Sequence, residues 1–172
     1  MISETDRERI FRFHSRNGYR LSSRESSIVE FKETFNWGSR DRYSKSIAAF
    51  ANCKGGFLVF GVKNNPRELV GLQSQNFDNL DEAEITQYLN SNFSPEINFE
   101  KYTLTVRRRN IGVLEIKESQ YKPIIAIGNN GVIKESEIYY RYIARSERIK
   151  HPELISTKNN EKEKEEEKRR EL

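Results

Sequence analysis

The sequence predicts a single α+β domain, a mostly antiparallel sheet with helices packed on it. Three observations carry that expectation. Several short segments alternate apolar and polar residues as half-buried strands do, while two longer ones repeat apolar residues at helical spacing. Beyond residue 96 nearly every apolar segment reads as a strand. A length of 172 residues suits one domain and would cramp two.

The elements follow in order. Thr5–Arg16 reads as a short basic helix with Ile10, Phe11 and Phe13 on its apolar side and Arg7, Arg9, Arg12 and Arg16 on the other. Ser27–Lys32 reads as a strand, with Ile28 and Glu30 facing one way and Val29 and Phe31 the other. Ser39 is placed to cap a helix running to about Lys54, with Tyr43, Ile47, Phe50 and Ala51 as its stripe. Gly55-Gly56 stops that helix, and the apolar run Phe57–Val62 is a strand covered on both faces. Lys63–Arg67 turns the chain toward Leu69–Leu72. Asp81, with Glu84 three residues on, starts a second helix that buries Ile85, Tyr88, Leu89 and Phe93. The remaining strands are Ile97–Val106, Ile111–Ile116, Ile124–Ile127 and Glu137–Ile143. In the last of these Tyr139, Arg141 and Ile143 share one face, and Ile138, Tyr140 and Tyr142 the other.

Composition narrows the function classes. Thirty Lys and Arg against 26 Asp and Glu give a net charge of +4. The last twelve residues sum to −1, which leaves +5 on residues 1–160. That tail reads as a solvated helix or disorder, with Glu165–Arg169 and Glu166–Arg170 as helical pairs. Cys53 has no partner for a disulfide and fits a reducing, cytoplasmic setting. The longest apolar runs, Phe57–Phe60 and Ile124–Ile127, are far below a membrane span, and the first residues lack the order of a signal peptide. Two histidines and one cysteine cannot make a four-ligand zinc site, and Gly55-Gly56 lacks the Lys-Ser/Thr of a phosphate-binding P-loop. Basic residues gather at three places: the first helix with Arg20, the run Arg107-Arg108-Arg109, and Arg141, Arg145, Arg148 and Lys150 interleaved with tyrosines. Lys and Arg neutralise phosphate and tyrosine faces stack on unpaired bases, so a nucleic acid is the expected partner. The competing reading makes Arg107–Arg109 a solvated hairpin turn and the tyrosines core.

One longer pattern is more specific. Glu25-Ser26, Val29-Glu30-Phe31-Lys32, Ala49-Phe50-Ala51-Asn52, Gly55-Gly56, Phe60-Gly61-Val62 and Val70-Gly71 resemble, in order and spacing, the Schlafen AlbA-type domain. Glu137-Ile138-Tyr139-Tyr140-Arg141-Tyr142 with Arg145-Ser146 resembles that family's closing segment, and Tyr121-Lys122-Pro123 is a weaker match between them. The resemblance covers about residues 20–155, leaving an N-terminal basic helix at 1–19 and a charged tail at 156–172. It implies nucleic-acid binding, RNA and tRNA before duplex DNA, and it attaches an ATP-binding label that no motif here supports.

The family's RNA-cleaving members use three acids, of which the first two fall on Glu25 and Glu30. The resemblance makes these the catalytic carboxylates and the Mg²⁺ or Mn²⁺ ligands of an endoribonuclease, with Lys32 steadying the scissile phosphate. The third acid falls on Lys63-Asn64, which weakens such a site unless Glu68, Asp78 or Asp81 stands in. Against a metal role stands a structural one, in which Glu25 and Glu30 pair with Lys32 or a late-strand arginine and order the sheet. The leading expectation is a backbone-binding module in which Arg107, Arg108, Arg109, Arg141 and Arg145 contact phosphate. The endoribonuclease is the alternative. A third reading makes the chain an adaptor or homo-oligomer whose charged tail meets a partner domain.

Overall fold

The computed structural model describes residues 2–170. From the N-terminus, helix α1 (Glu4–Ile10) leads to strand β1 (Val29–Lys32), helix α2 (Arg40–Asn52) and strand β2 (Gly56–Phe60). A small hairpin of β3 (Val62–Asn64) and β4 (Arg67–Leu69) is followed by the short α3 (Asn76–Asn79) and by α4 (Glu82–Asn92). Then come β5 (Phe93–Ser94), β6 (Phe99–Val106), β7 (Arg109–Ile116) and β8 (Ile125–Ala126). A hairpin of β9 (Tyr139–Tyr142) and β10 (Arg145–Arg148) precedes the C-terminal α5 (His151–Arg170).

The main sheet has the strand order β1-β2-β7-β6. β1 and β2 run parallel, as a connection through α2 allows, while β2–β7 and β7–β6 are antiparallel. The expected α+β domain with a mostly antiparallel sheet is therefore what forms. β2 is buried along its whole length because both faces of the sheet are covered. On one face Leu58, Phe60, Leu114 and Ile116 pack with Ile47 and Phe50 of α2 and Ile85 and Leu89 of α4. On the other, Phe57, Val59, Ile111 and Val113 meet Ile10 and Phe11 of the N-terminal segment and Leu21.

Several boundaries shift for physical reasons. α1 ends at Ile10 rather than Arg16, because the chain turns there and Phe13 bridges Leu21 as a strand would. Ser39 makes no capping bond with its side chain; Asn36 instead caps a one-turn 3₁₀ helix that leads into α2. α2 stops at Asn52, whose side-chain amide reaches across to Ile124 and to the Tyr139 carbonyl. Asp81 does cap α4, accepting from Ala83 N at 2.9 Å. The expected Leu69–Leu72 strand is β4, two residues earlier. The charged tail is helical as α5 from His151, with Glu166 and Arg170 paired at 3.7 Å. Among the described residues no helix is long and apolar enough to cross a membrane.

Candidate nucleic-acid interface

The alternation of β1 sends Val29 and Phe31 into the core and leaves Glu30 and Lys32 together on the opposite face. Glu30 is 7% exposed and is held from three sides. Lys32 Nζ lies 2.8 Å from its Oε1, Ser46 of α2 donates to the same oxygen at 3.1 Å, and Arg141 of β9 pairs with Oε2 at 2.5 Å.

Arg141 is the partner that holds Glu30 most closely. Its Nε and Nη2 donate to Ser26 O, Nη2 also to Val29 O, and Nη1 to Glu30 and to Ser146 Oγ. The five N–H groups of a guanidinium are thus all placed inside the protein, with the plane over the Phe50 ring at 4.8 Å. At 4% exposure Arg141 has nothing left to offer a phosphate. The expected phosphate contact at this residue is corrected: the alternation that put Arg141 beside Tyr139 turned it inward, onto Glu30.

Glu25 lies just before β1 and closes its open edge. Its Oε1 accepts from Phe31 N at 2.9 Å and from Asn64 Nδ2 at 3.4 Å. Asn64, in the third acid position that the resemblance named, is thus brought beside Glu25 by the β3–β4 hairpin. None of the suggested stand-ins joins it. Glu68 sits opposite Lys63 and bridges to Arg20, Asp78 accepts from Thr103 Oγ1, and Asp81 is spent on the cap of α4.

A divalent cation does not fit this donor set. Both oxygens of Glu30 already face cationic nitrogens, the third position carries an uncharged amide, and Lys32 stands where a metal would need room. Among the described residues no group of three or more His, Cys, Asp or Glu has the geometry to hold a metal.

The arrangement does make a cationic cleft of about 420 Å³. Lys32, Lys45 and Arg145 line it with Glu25, Glu30, Glu147 and Asn64, and Arg141 forms its back, so that four bases face three acids. Lys45 reaches it from α2 with its ammonium over the Tyr139 ring, and Arg145 enters exposed from β10.

The Arg107–Arg109 run forms the two-residue turn between β6 and β7, with φ of 46° at Arg107 and 62° at Arg108. Its members divide. Arg107 stacks on Phe13 at 3.5 Å and donates to Ser15 O at 3.1 Å and to Gly18 O. Arg109 lies over Tyr19 at 4.9 Å and donates to Val70 O. Arg108 is exposed. These contacts dock the N-terminal segment, so that Arg12, Arg16 and Arg20, all exposed, share a surface with the turn. Two basic loci of the sequence are one patch in space. Only the aromatic residues flanking the segment hinted at it, and their partners lie 90 and 94 residues away.

Strand register relates the patch to the cleft. Lys32 pairs with Phe60, Phe60 with Gly112, and Arg109 lies three residues before Gly112. Both surfaces therefore sit at the same end of the sheet, separated by the width of four strands, roughly 15 Å. Gly55-Gly56 lies at the opposite end. A Cβ on Gly56 would come within 2.4 Å of the Phe50 ring, so this glycine serves close packing rather than ligand approach.

The tyrosines are mostly structural. Tyr139 is buried, donates to Val132 O and accepts from Lys134 N, and burial pushes its phenol up to about 12. Tyr140 is likewise pushed up to about 12, first by burial and then by the neighbouring Cys53. Tyr142 accepts from Lys150 N and donates to Glu153 of α5. The Cys53 thiol, half-buried beneath Arg141, is pushed up by burial.

Comparison with known proteins bears on this geometry. The family model described as Schlafen, AlbA_2 matches residues 25–150, a span that starts at Glu25 and includes the cleft and the arginine turn. The protein named "Uncharacterized ATP-binding protein UU034" of Ureaplasma parvum is 40% identical over 149 residues, covering 78% of this chain and 42% of that protein. The chain thus spans less than half the length of this relative. Among solved structures, the DIP2311 protein from Corynebacterium diphtheriae is 14% identical with a TM-score of 0.49, covering 72% of this chain and 25% of that one. The N-terminal domain of a RecG-related protein from Nitrosomonas europaea is 20% identical with a TM-score of 0.48, covering 74% of this chain and 87% of that one.

Proposed function

The chain belongs to the Schlafen, AlbA_2 family, and on that premise we propose that it is a nucleic-acid-binding module that grips the phosphate backbone at one end of its sheet. The observation that carries this reading is the shared placement of the cationic cleft and the arginine patch. Lys45 and Arg145 beside β1, on the α2 side, and Arg108, Arg12 and Arg16 beside the β6–β7 turn, on the side of the N-terminal segment, present exposed or cleft-facing charge at one end of the sheet. A span of roughly 15 Å suits neighbouring phosphates of a strand rather than one small anion. Arg107 and Arg109 act mainly by holding the N-terminal segment in place, and they lend charge to the patch.

The reading is of backbone and shape, since the side chains that carry it are cations suited to phosphate. RNA ahead of duplex DNA rests on the family resemblance alone. Metal-dependent cleavage through Glu25 and Glu30 draws no support from the donor set, because Glu30 is neutralised internally and Asn64 supplies no charge. The relative's printed name speaks of ATP, and a triphosphate would be drawn to the same cations. A cytoplasmic setting is part of the proposal and is supported by the unpaired Cys53 thiol.

The test is a binding titration of the purified protein with single-stranded RNA, tRNA and duplex DNA, with ATP as competitor and Mn²⁺ added in a parallel series. The proposal expects salt-dependent binding of a polynucleotide that ATP displaces poorly, without Mn²⁺-dependent cleavage. Binding of ATP alone, or of nothing anionic, overturns it.

A further inference from the structure

The two edges of the main sheet are finished differently. On β1, side chains occupy the outward backbone groups: Glu25 accepts from Phe31 N, and Arg141 donates to Val29 O. On β6, the hairpin pairs Val106 with Arg109, so alternation turns the backbone groups of Lys101, Thr103 and Thr105 outward. Arg7 donates to Thr105 O at 3.1 Å, and among the described residues no hydrogen-bond partner is found for the N–H groups of Lys101, Thr103 and Thr105. Open edges of this kind accept an added strand, and proteins generally cover or charge them.

Beside this edge runs a groove of about 1160 Å³ between α1 and β6. Phe11, Tyr102 and Leu104 supply apolar surface along it. Glu4 and Glu8, one helical turn apart on α1, stand on one rim and Glu82 of α4 on the other. Arg7 and Lys101 also line the groove, with their charged ends on the Thr105 and Asp78 carbonyls, against the four carboxylates of Glu4, Glu8, Glu82 and Glu100.

We propose that the β6 edge is a docking site for an extended segment of a partner protein that carries apolar and Lys or Arg side chains in turn on the one face it presents to α1. Such a segment adds as a fifth strand, bonding to the outward groups of Lys101, Thr103 and Thr105. Along that face, apolar side chains fall on Phe11, Tyr102 and Leu104 and basic ones reach Glu4 and Glu8 at the rim. The occupant is basic because the rim is acidic, and it is a strand because the edge offers unpaired backbone. The site lies at the opposite edge of the sheet from the cationic cleft, and its Phe13 and Val106 end adjoins the arginine turn.

The probe is a labelled eight-residue peptide, the length of β6, with Lys and Val in turn at every second position and Thr between them, and the control replaces its Lys by Glu. Amide hydrogen exchange and fluorescence anisotropy are measured on the full chain. The basic peptide should slow exchange at Lys101, Thr103 and Thr105 and bind better than the acidic one. Glu4→Gln/Glu8→Gln should weaken it at least about fivefold and make it less sensitive to salt. Thr103→Pro removes one outward donor at an edge position where proline is tolerated, and should weaken it without loss of fold. Equal binding of both peptides, no added protection at the three amides, or a dimer that already protects them without peptide overturns the proposal.

Discussion

The guanidinium of Arg141 and the carboxylate of Glu30 form an ion pair at 2.5 Å inside the protein, both nearly closed to water. A buried pair contributes little beyond a well-packed apolar substitute, but loss of one member strands the other charge. Arg141→Ala should therefore destabilise the fold by about 3–5 kcal/mol in chemical denaturation, while Glu30→Gln/Arg141→Met together should cost less than Arg141→Ala alone. A loss below about 1 kcal/mol for Arg141→Ala would mean that the pair does not hold β9 against β1.

Asn64→Asp tests the position at which the cation site fails. The introduced carboxylate would stand beside Glu25, which Asn64 contacts at 3.4 Å, and would replace an N–H donor by a like charge. Without metal the variant should melt lower, by the equivalent of about 1 kcal/mol. Millimolar Mn²⁺ should restore it and leave the parent unchanged. An equal Mn²⁺ shift in the parent contradicts the donor-set argument.

Alkaline stability reports on Tyr139. Burial raises its phenol to about 12 from an ordinary 10.0, so the folded state prefers the neutral form. The contribution is complete below pH 10 and is lost as pH climbs toward 12, where the unfolded chain has released its proton and the folded one has not. Tyr139→Phe should be less stable at neutral pH, having lost the bonds to Val132 and Lys134, and should show a shallower fall between pH 10 and 12. Identical alkaline profiles would show that Tyr139 is not the group responsible.

Gly56→Ala examines the far end of the sheet. A methyl group there meets Phe50 Cδ1 at 2.4 Å and Ile28 O at 2.8 Å. Overpacking of this kind should cost about 1–3 kcal/mol while leaving polynucleotide affinity unchanged. If affinity falls with fold intact, the glycine pair belongs to the binding surface after all.

Local periodicity made much of this molecule legible from its residues. The alternation of β1 paired Glu30 with Lys32, the spacing of Tyr43, Ile47 and Phe50 gave the buried face of α2, and Asp81 marked the start of α4. The same alternation put Arg141 on the face of Tyr139, and an arginine from this strand was one expected partner of Glu30. Which role it took depended on β9 packing against β1 and α2, and that is a long-range fact. For the same reason α1 read too long, since nothing local to Phe13 announces its pairing with Leu21. The union of Arg107 and Arg109 with Phe13 and Tyr19 was equally out of reach. Its determinants lie in two segments 90 or more residues apart in the sequence.

The central claim is that one end of the sheet binds a polynucleotide through its phosphates, and salt dependence measures that most directly. Affinity for a single-stranded RNA should be followed between low and moderate salt for the parent and for Lys45→Gln/Arg108→Ala/Arg145→Ala, with Arg141 left in place. Three lost phosphate contacts should lower the slope of log affinity against log salt by about 2 and weaken binding at low salt. An unchanged slope and affinity in the triple variant would contradict the account.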